Sequence, residues 1–174
     1  MKPAVVLLAT TIALLPLTTV LAANPDQVKQ LINKLECSKC DLTAASLYSY
    51  NLEGAIINDA NLTEAALQGS NLDRANLTNS VLQKANLALV SFQGANLQGA
   101  DLSGAYLYGA NLQGADLTGA NLEGATLEGA NLRRANLTGA NLTKANLLKA
   151  RMAGAILESV TLTGARMPDG NLYK

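Results

Sequence analysis

The chain contains 174 residues, a length typical of one domain. Its 13 basic residues balance its 13 acidic residues, so the charge gives no support for general binding to nucleic acid or to an acidic membrane. Aromatic residues make up 3% of the chain, whereas 49% of the residues are hydrophobic, mostly Ala and Leu. This composition argues against a core of large side chains and predicts a thin, regular core built from small parts.

The first 22 residues have the features of a secretory signal peptide. Lys2 gives a positive start, an apolar run extends from Ala4 to Leu15, and Pro16 ends it. The segment Val20–Ala22 offers the side chains of a cleavage site after Ala22. The alternative is an uncleaved anchor, for which the apolar run is short. We therefore predict an exported protein.

Residues 23–40 predict a capping helix followed by a turn with two cysteines. Asn24 fits an N-cap, Pro25 fits the first helical position, and Gln27 stands where it can complete a capping box with Asn24. We predict a helix over about 25–35 that covers the first unit of the repeat described below, because the end of a repeat stack exposes apolar side chains. Its apolar stripe is formed by Val28, Leu31, Ile32 and Leu35.

Cys37 and Cys40 form a lone Cys-x-x-Cys motif. A structural zinc site lacks further ligands, because the chain has no His and no second pair of cysteines. Thioredoxin-like chemistry would need a βαβ context that the sequence does not show. Export favours a structural disulfide between Cys37 and Cys40, with a regulatory thiol switch as the alternative.

From residue 41 to residue 167 the chain repeats every five residues, a period that fits neither a helix nor a strand. The central position of each five, here called the centre, runs from Leu42 to Met167 and is Leu in all but four of the 26 repeats. Ala usually stands two before the centre, and Asn or Asp usually stands just before it. We predict that the centre and the Ala point inward, and that the large centres Phe92 and Met152 are core fillers.

The other repeat positions predict turns. Thirteen of the 14 Gly residues stand two after a centre, where a type II turn needs a positive φ. The Asn and Asp side chains can hydrogen-bond the nearby backbone at these corners. Identical residues stacked at about 4.8 Å can also form side-chain ladders between neighbouring coils.

This pattern resembles the pentapeptide-repeat family, whose consensus is Ala-(Asp/Asn)-Leu-x-x. The resemblance implies an all-β solenoid, a right-handed quadrilateral β-helix with four repeats per coil and a short N-terminal capping α-helix. At about 4.8 Å per coil, the repeats would form a rod roughly 30 Å long. The helix and the Cys-x-x-Cys turn also resemble exported cyanobacterial members, in which a turn such as Met167-Pro168-Asp169-Gly170 closes the last coil.

The chain is accordingly divided into a signal peptide (1–22), a capping helix with its cysteine turn (23–40), the β-helix (41–167) and a C-terminal turn and tail (168–174). The register of the repeat also places Cys37 at a centre and Cys40 at the small inward position. Both cysteines can therefore belong to the first turn of the solenoid.

Four repeats per coil place residues 20 apart on the same face, and we number faces 1 to 4 by their first centres, Leu42, Leu47, Leu52 and Ile57. Face 2 gathers aromatic and aliphatic residues, while Tyr50 falls at an inward position of face 3. Aromatic residues are enriched at interfaces, so we predict a partner-binding surface, with chance surface variation as the alternative. This aromatic wall consists of Tyr48, Leu89, Tyr106, Tyr108 and Leu148.

Face 3 carries a basic patch next to Glu53 and Asp73. An acidic partner is the functional interpretation, although the small excess of charge also fits ordinary surface variation. The patch consists of Arg74, Arg133, Arg134 and Arg151. A column of Thr on face 1 is interrupted by Gln83 and Glu123, which argues against an ice-binding surface.

The residues do not indicate catalysis, because no Ser or Cys has a plausible general base in a fixed geometry. We predict no cofactor and no metal. Some members of the family resemble duplex DNA and bind topoisomerases as dimers, but this chain departs from them in its neutral charge and its signal peptide. We therefore predict a non-enzymatic exported scaffold for protein partners in the periplasm or thylakoid lumen, a monomer or weak dimer, with the topoisomerase-binding DNA mimic as the alternative.

Overall fold

The computed structural model describes residues 23–174, so the predicted signal peptide over 1–22 lies outside the described residues. Within this range the chain forms a right-handed quadrilateral β-helix preceded by one α-helix, which confirms the predicted fold class. The β-helix contains no long strands. Isolated parallel bridges join residues 20 apart, from Glu36 with Ile56 to Asn146 with Arg166. The coils thus begin at Glu36, five residues before the start given by the sequence.

Helix α1 (Pro25–Lys34) begins and ends with ordinary caps. The Asn24 Oδ1 accepts a hydrogen bond from the N–H of Asp26 at 3.0 Å, as expected for an N-cap. Leu35 adopts the left-handed conformation after the last turn and donates its N–H to the carbonyl of Leu31 at 2.8 Å. Leu31 is fully buried, so the apolar stripe of α1 packs against the first coil as predicted.

The predicted capping box at the start of α1 is wrong. The Oε1 of Gln27 does not turn back to Asn24 but accepts the N–H of Asp41 at 2.6 Å. In every later coil, the corresponding N–H donates to the coil before it. Asp41 has no preceding coil, and Gln27 provides the missing acceptor.

Every backbone N–H of a regular repeat has a defined acceptor. In the repeat 61–65, the first N–H donates to the preceding coil at 2.9 Å, and the second and fourth donate to the following coil at 2.6 and 2.9 Å. The third donates to the Oδ1 of Asn61 at 3.1 Å, and the fifth closes the turn on the carbonyl of Leu62 at 3.0 Å. The Asn or Asp before the centre is thus the acceptor that the backbone ladder lacks.

The corners are turns with a positive φ at the residue two after each centre from Leu42 to Leu162, which confirms the interpretation of the Gly positions. Central corners such as Gly99 and Gly119 (φ 64° and 67°) use Gly. Other corners place a side chain there, including Asp59 and Arg74 (both φ 58°). These residues adopt a conformation that is unfavourable for a residue with a Cβ atom.

The core is a column of Leu and Ala along the axis of the rod. Every centre from Leu42 to Leu147 is at most 1% exposed, including Phe92. Burying one Leu contributes about 1.5–3 kcal/mol, so the stack needs few aromatic side chains. Two inward predictions fail: Tyr50 is 39% exposed, because the position two before the centre fits Ala, and Met152 is only half-buried, because no coil within residues 23–174 covers it.

The C-terminal tail folds back along the last coil. Gly170 donates its N–H to the carbonyl of Met167 at 2.9 Å, which closes the predicted turn, and an antiparallel bridge joins Arg166 to Leu172. The expectation that this turn closes the last coil holds only in part. The tail pairs with residues 164–167 and leaves the preceding part of the coil open.

Candidate interaction surfaces

The structure brings three residues of the aromatic wall together on face 2. The rings of Tyr106 and Tyr108 lie nearly parallel, with 9° between their planes and 6.1 Å between their centroids. Leu89 lies against the corner at Gly109, beside Tyr108, and is 66% exposed. Two parallel aromatic rings and an aliphatic side chain thus form one exposed apolar patch.

The other two residues of the aromatic wall lie apart from this patch. Tyr48 is 63% exposed and lies three coils away from Tyr108, at about 14 Å along the axis. Leu148 is half-buried, and its Cδ1 lies 3.6 Å from the Cβ position of Gly170 in the terminal turn. Leu148 therefore packs against the tail as well as facing outward.

The surface between Tyr48 and Tyr108 carries no charged side chain and is formed in part by small residues. Ala66 and Ala88 occupy outward positions of the two intervening coils. The Oε1 of Gln68 in the same stretch is buried and has no hydrogen-bond partner. A buried acceptor without a donor is costly, so this stretch of face 2 holds an unused hydrogen-bonding group. Sequence reasoning missed it, because Gln at an outward position normally faces water.

The structure divides the predicted basic patch. Arg133, Arg134 and Arg151 lie on neighbouring coils, which the bridge between Asn131 and Arg151 joins. Arg74 lies three coils away from Arg134 and forms an ion pair with Glu53. Both partners of this pair are solvent-exposed, so it adds little stability, but it reduces the charge that Arg74 offers to a ligand.

Face 1 carries a shallow groove of about 430 Å³ that the sequence analysis did not identify. Two consecutive Gly corners, Gly104 and Gly124, form its floor, and Lys84, Glu123 and Lys144 stand around it. A run of Gly corners between two Lys corners is the sequence signal that could have revealed it. The lining charges are mixed, so the groove favours no particular ligand.

Hydrogen bonds lower the pKa values of two aspartates in the side-chain ladders between coils. Partial burial acts to raise the pKa of Asp101, but bonds from Ser103, Gln83 and Asn121 together lower the pKa below its ordinary value. The pKa of Asp116 is lowered in the same way against its burial. Through Gln83, Asn121 and Gln98, these carboxylates join neighbouring coils. Between residues 23 and 174, no three His, Cys, Asp or Glu residues cluster in a way that could hold a metal ion.

Cys37 and Cys40 form a disulfide across the first corner, with their Cα atoms 5.4 Å apart. Cys37 donates its N–H to the carbonyl of Ile56 at 2.8 Å, so the pair lies inside the first coil. Both cysteines are buried at positions that Leu and Ala fill elsewhere. Whether this pair is structural or regulatory stays a prediction.

These features define a class: a solenoid with a core built mainly of Leu and Ala, whose outward positions carry most of the variable residues. The family model for pentapeptide repeats matches in 8 copies over residues 60–98, 85–124, 120–158 and 135–173. The chain belongs to the pentapeptide-repeat family. Among curated protein sequences, none matches this chain. In the described range, no helix has the length and apolar character that crossing a membrane requires.

Solved structures of the family include similar chains. HetL, a pentapeptide-repeat protein involved in heterocyst differentiation regulation in the cyanobacterium Nostoc sp. strain PCC 7120, is 32% identical, with 79% of this chain and 78% of HetL covered and a TM-score of 0.33. AT2G44920 from the Arabidopsis thaliana thylakoid lumen is 26% identical, with 66% and 70% covered and a TM-score of 0.28. Rfr23 from the cyanobacterium Cyanothece 51142 is 27% identical, with 86% and 98% covered and a TM-score of 0.25.

Proposed function

We propose that this protein is a non-enzymatic, exported scaffold that binds a protein partner through the aromatic wall of face 2. The observation that supports this most is the exposed patch of Leu89, Tyr106 and Tyr108, next to an uncharged stretch of face 2 that extends toward Tyr48. Tyr combines apolar area with a hydroxyl group and loses little conformational entropy on binding, which is why it is enriched at interfaces.

The backbone of face 2 restricts how a partner can bind there. Most of its N–H groups donate between coils, as in the bond from Leu89 N–H to the carbonyl of Tyr108 at 2.9 Å. The N–H groups of Tyr48 and Tyr108 have no acceptor within residues 23–174, because neither Ser46 nor Tyr106 supplies the Oδ1 that Asn or Asp provides in a regular repeat. A partner on this face can therefore use the outward side chains and these two N–H groups.

The proposed site of action is the periplasm or the thylakoid lumen. The signal-peptide features of residues 1–22 support export, and a relative from the thylakoid lumen is consistent with the second compartment. The basic patch on face 3, reduced to Arg133, Arg134 and Arg151, is a secondary docking surface for an acidic partner.

The alternative function is the DNA-mimic type of pentapeptide-repeat protein that binds a topoisomerase. Similarity to QnrB1, whose structure is described as that of a plasmid-mediated fluoroquinolone resistance protein, shows the fold alone at 19% identity. Such mimicry needs a strongly acidic surface, whereas this chain has a formal net charge of zero and carries Arg133, Arg134 and Arg151 on one face. Cell fractionation separates the two functions, because a DNA mimic has to remain with the DNA.

The test is cross-linking of the mature protein in its native compartment, with partners identified by mass spectrometry. We expect the variant Tyr48→Ala/Tyr106→Ala/Tyr108→Ala to lose the main partner and to keep its fold by circular dichroism. The matched control removes three outward side chains of face 4, as Thr78→Ala/Thr118→Ala/Thr138→Ala, and should keep the partner. The proposal fails if the wall variant retains every partner that the wild type binds.

A further inference from the structure

The last coil exposes the backbone groups with which every earlier coil holds the next one. In the stack, each repeat makes three backbone hydrogen bonds to the following coil. The N–H of the centre and the N–H of the residue two after it both donate to that coil. The carbonyl of the residue two before the centre accepts an N–H from that coil. Within residues 23–174, these groups have no hydrogen-bond partner over residues 152–162, a segment that we call the free edge. The unpaired N–H groups belong to Met152, Gly154, Leu157, Ser159 and Leu162, and the unpaired carbonyls to Ala155 and Val160.

The free edge also exposes part of the core. Leu157 is 40% exposed although it occupies a centre, a position that is fully buried throughout the earlier coils. Met152, Val160 and Leu162 are only half-buried. Apolar side chains beside unpaired backbone groups are the features of a strand edge that can accept another chain.

The tail of the chain shows that this edge accepts an extended segment. Immediately after the free edge, Gly164 donates its N–H to the carbonyl of Tyr173 at 2.9 Å, and Tyr173 donates its own N–H to the carbonyl of Ala165 at 2.8 Å. The tail thus covers the neighbouring side of the last coil by strand addition. The free edge has the same backbone geometry without a covering segment.

The geometry points to strand addition at the free edge by an extended segment of a protein partner, with carbonyl groups toward the edge and an apolar side chain over Leu157. This mode gives affinity through main-chain hydrogen bonds and specificity through the apolar contact. It is independent of the aromatic wall, because the free edge lies at the end of the rod and the wall lies on its side.

The hydrogen-bonding pattern argues against a two-fold pair of free edges and restricts head-to-tail stacking of a second copy. Each repeat of the free edge presents two N–H groups for one carbonyl, so a two-fold axis would bring two donor-rich edges together. Head-to-tail stacking needs the opposite end of a second copy, where α1 and the residue after it already satisfy the first coil on faces 1 and 4. Gln27 accepts the N–H of Asp41, and the carbonyl of Leu35 accepts the N–H of Ile56 at 2.7 Å.

The test uses a synthetic peptide with the sequence of residues 110–123, which is a stretch of regular coil from this chain. Amide hydrogen exchange of the free edge is measured with and without peptide. At a peptide concentration about ten times the Kd, we expect the exposed amides of residues 152–162 to exchange roughly tenfold more slowly. A control peptide with Leu112, Leu117 and Leu122 replaced by Ser should give no protection.

Two matched variants test whether the peptide protects amides by binding at the free edge. Leu157→Lys adds a charge at the free edge and should abolish the protection, whereas Leu89→Lys adds the same charge on face 2 and should leave it unchanged. Absence of protection up to low-millimolar peptide overturns the inference. Protection that rises with protein concentration in the absence of peptide also overturns it, because a second copy then covers the edge.

Discussion

At the N-terminal end of the rod, α1 lies across the first coil, Leu31 is fully buried, and side-chain and backbone acceptors from 27–35 replace a preceding coil. At the C-terminal end, the tail covers one side of the last coil, and Leu157 is 40% exposed. The repeat is the same at both ends, so the difference comes from what flanks it. A solenoid needs its ends covered, and residues 23–174 cover the core at the N-terminal end more completely than at the C-terminal end.

The comparison predicts that stability differs along the rod. Solenoid repeats contact only their neighbours, so local opening starts where the neighbour is missing. We expect the free edge to exchange its amides faster than the first coil. The same opening makes the C-terminal end the part of the β-helix that a partner can stabilise.

The largest effect is expected from deleting one Leu side chain at each end. Leu31→Ala removes a fully buried side chain and should lower the free energy of unfolding by about 2–5 kcal/mol. Leu157→Ala removes a side chain that is already 40% exposed and should cost about 1 kcal/mol. Urea unfolding measures both. Equal losses would show that the two ends are covered to the same degree.

A smaller effect on stability is expected from reducing the disulfide, which crosslinks the first coil at the covered end. Its closed loop is short, so reduction should lower the free energy of unfolding by about 2 kcal/mol. Amide exchange should accelerate near Cys37 and Cys40 and remain unchanged at the free edge. The control Cys37→Leu/Cys40→Ala restores the repeat consensus and should be insensitive to reductant. Acceleration at both ends would mean that the disulfide acts on the whole rod.

The smallest effect on stability is expected from lowering the pH, which protonates one aspartate near each end of the rod. Bonds from the hydroxyl and N–H of Thr43 lower the pKa of Asp41, and bonds from the backbone and side chain of Asn171 lower the pKa of Asp169. A lowered pKa stabilises the folded state above the unfolded value of about 3.9, and this contribution is lost as the pH falls through the folded pKa.

Carbon NMR titration of the two carboxyl groups checks this prediction. Both midpoints should lie below about 3.9. Thr43→Val should return the midpoint of Asp41 toward that value without moving the midpoint of Asp169. A midpoint of either wild-type carboxyl at or above 3.9 would contradict the hydrogen bonding at that end.

The repeat by itself identified the inward and turn positions, because every five residues meet the same local requirements, while the β-helix with four repeats per coil was implied by the resemblance to the pentapeptide-repeat family. A Leu and an Ala must be buried, a turn needs positive φ, and one N–H needs the Asn or Asp before the centre. Period and residue type are enough to identify these positions. The capping helix was predictable for the same reason, since its N-cap and apolar stripe are local signals.

Only the tertiary structure decided which side chains meet between coils and at the ends. Gln27 binds Asp41 instead of Asn24 because the first coil lacks a preceding acceptor. Arg74 is held by Glu53, and Tyr50 is exposed because the inward position is too small for its ring. The free edge depends on where the tail folds back. Such contacts join residues that are far apart in the sequence, so a five-residue period carries no information about them.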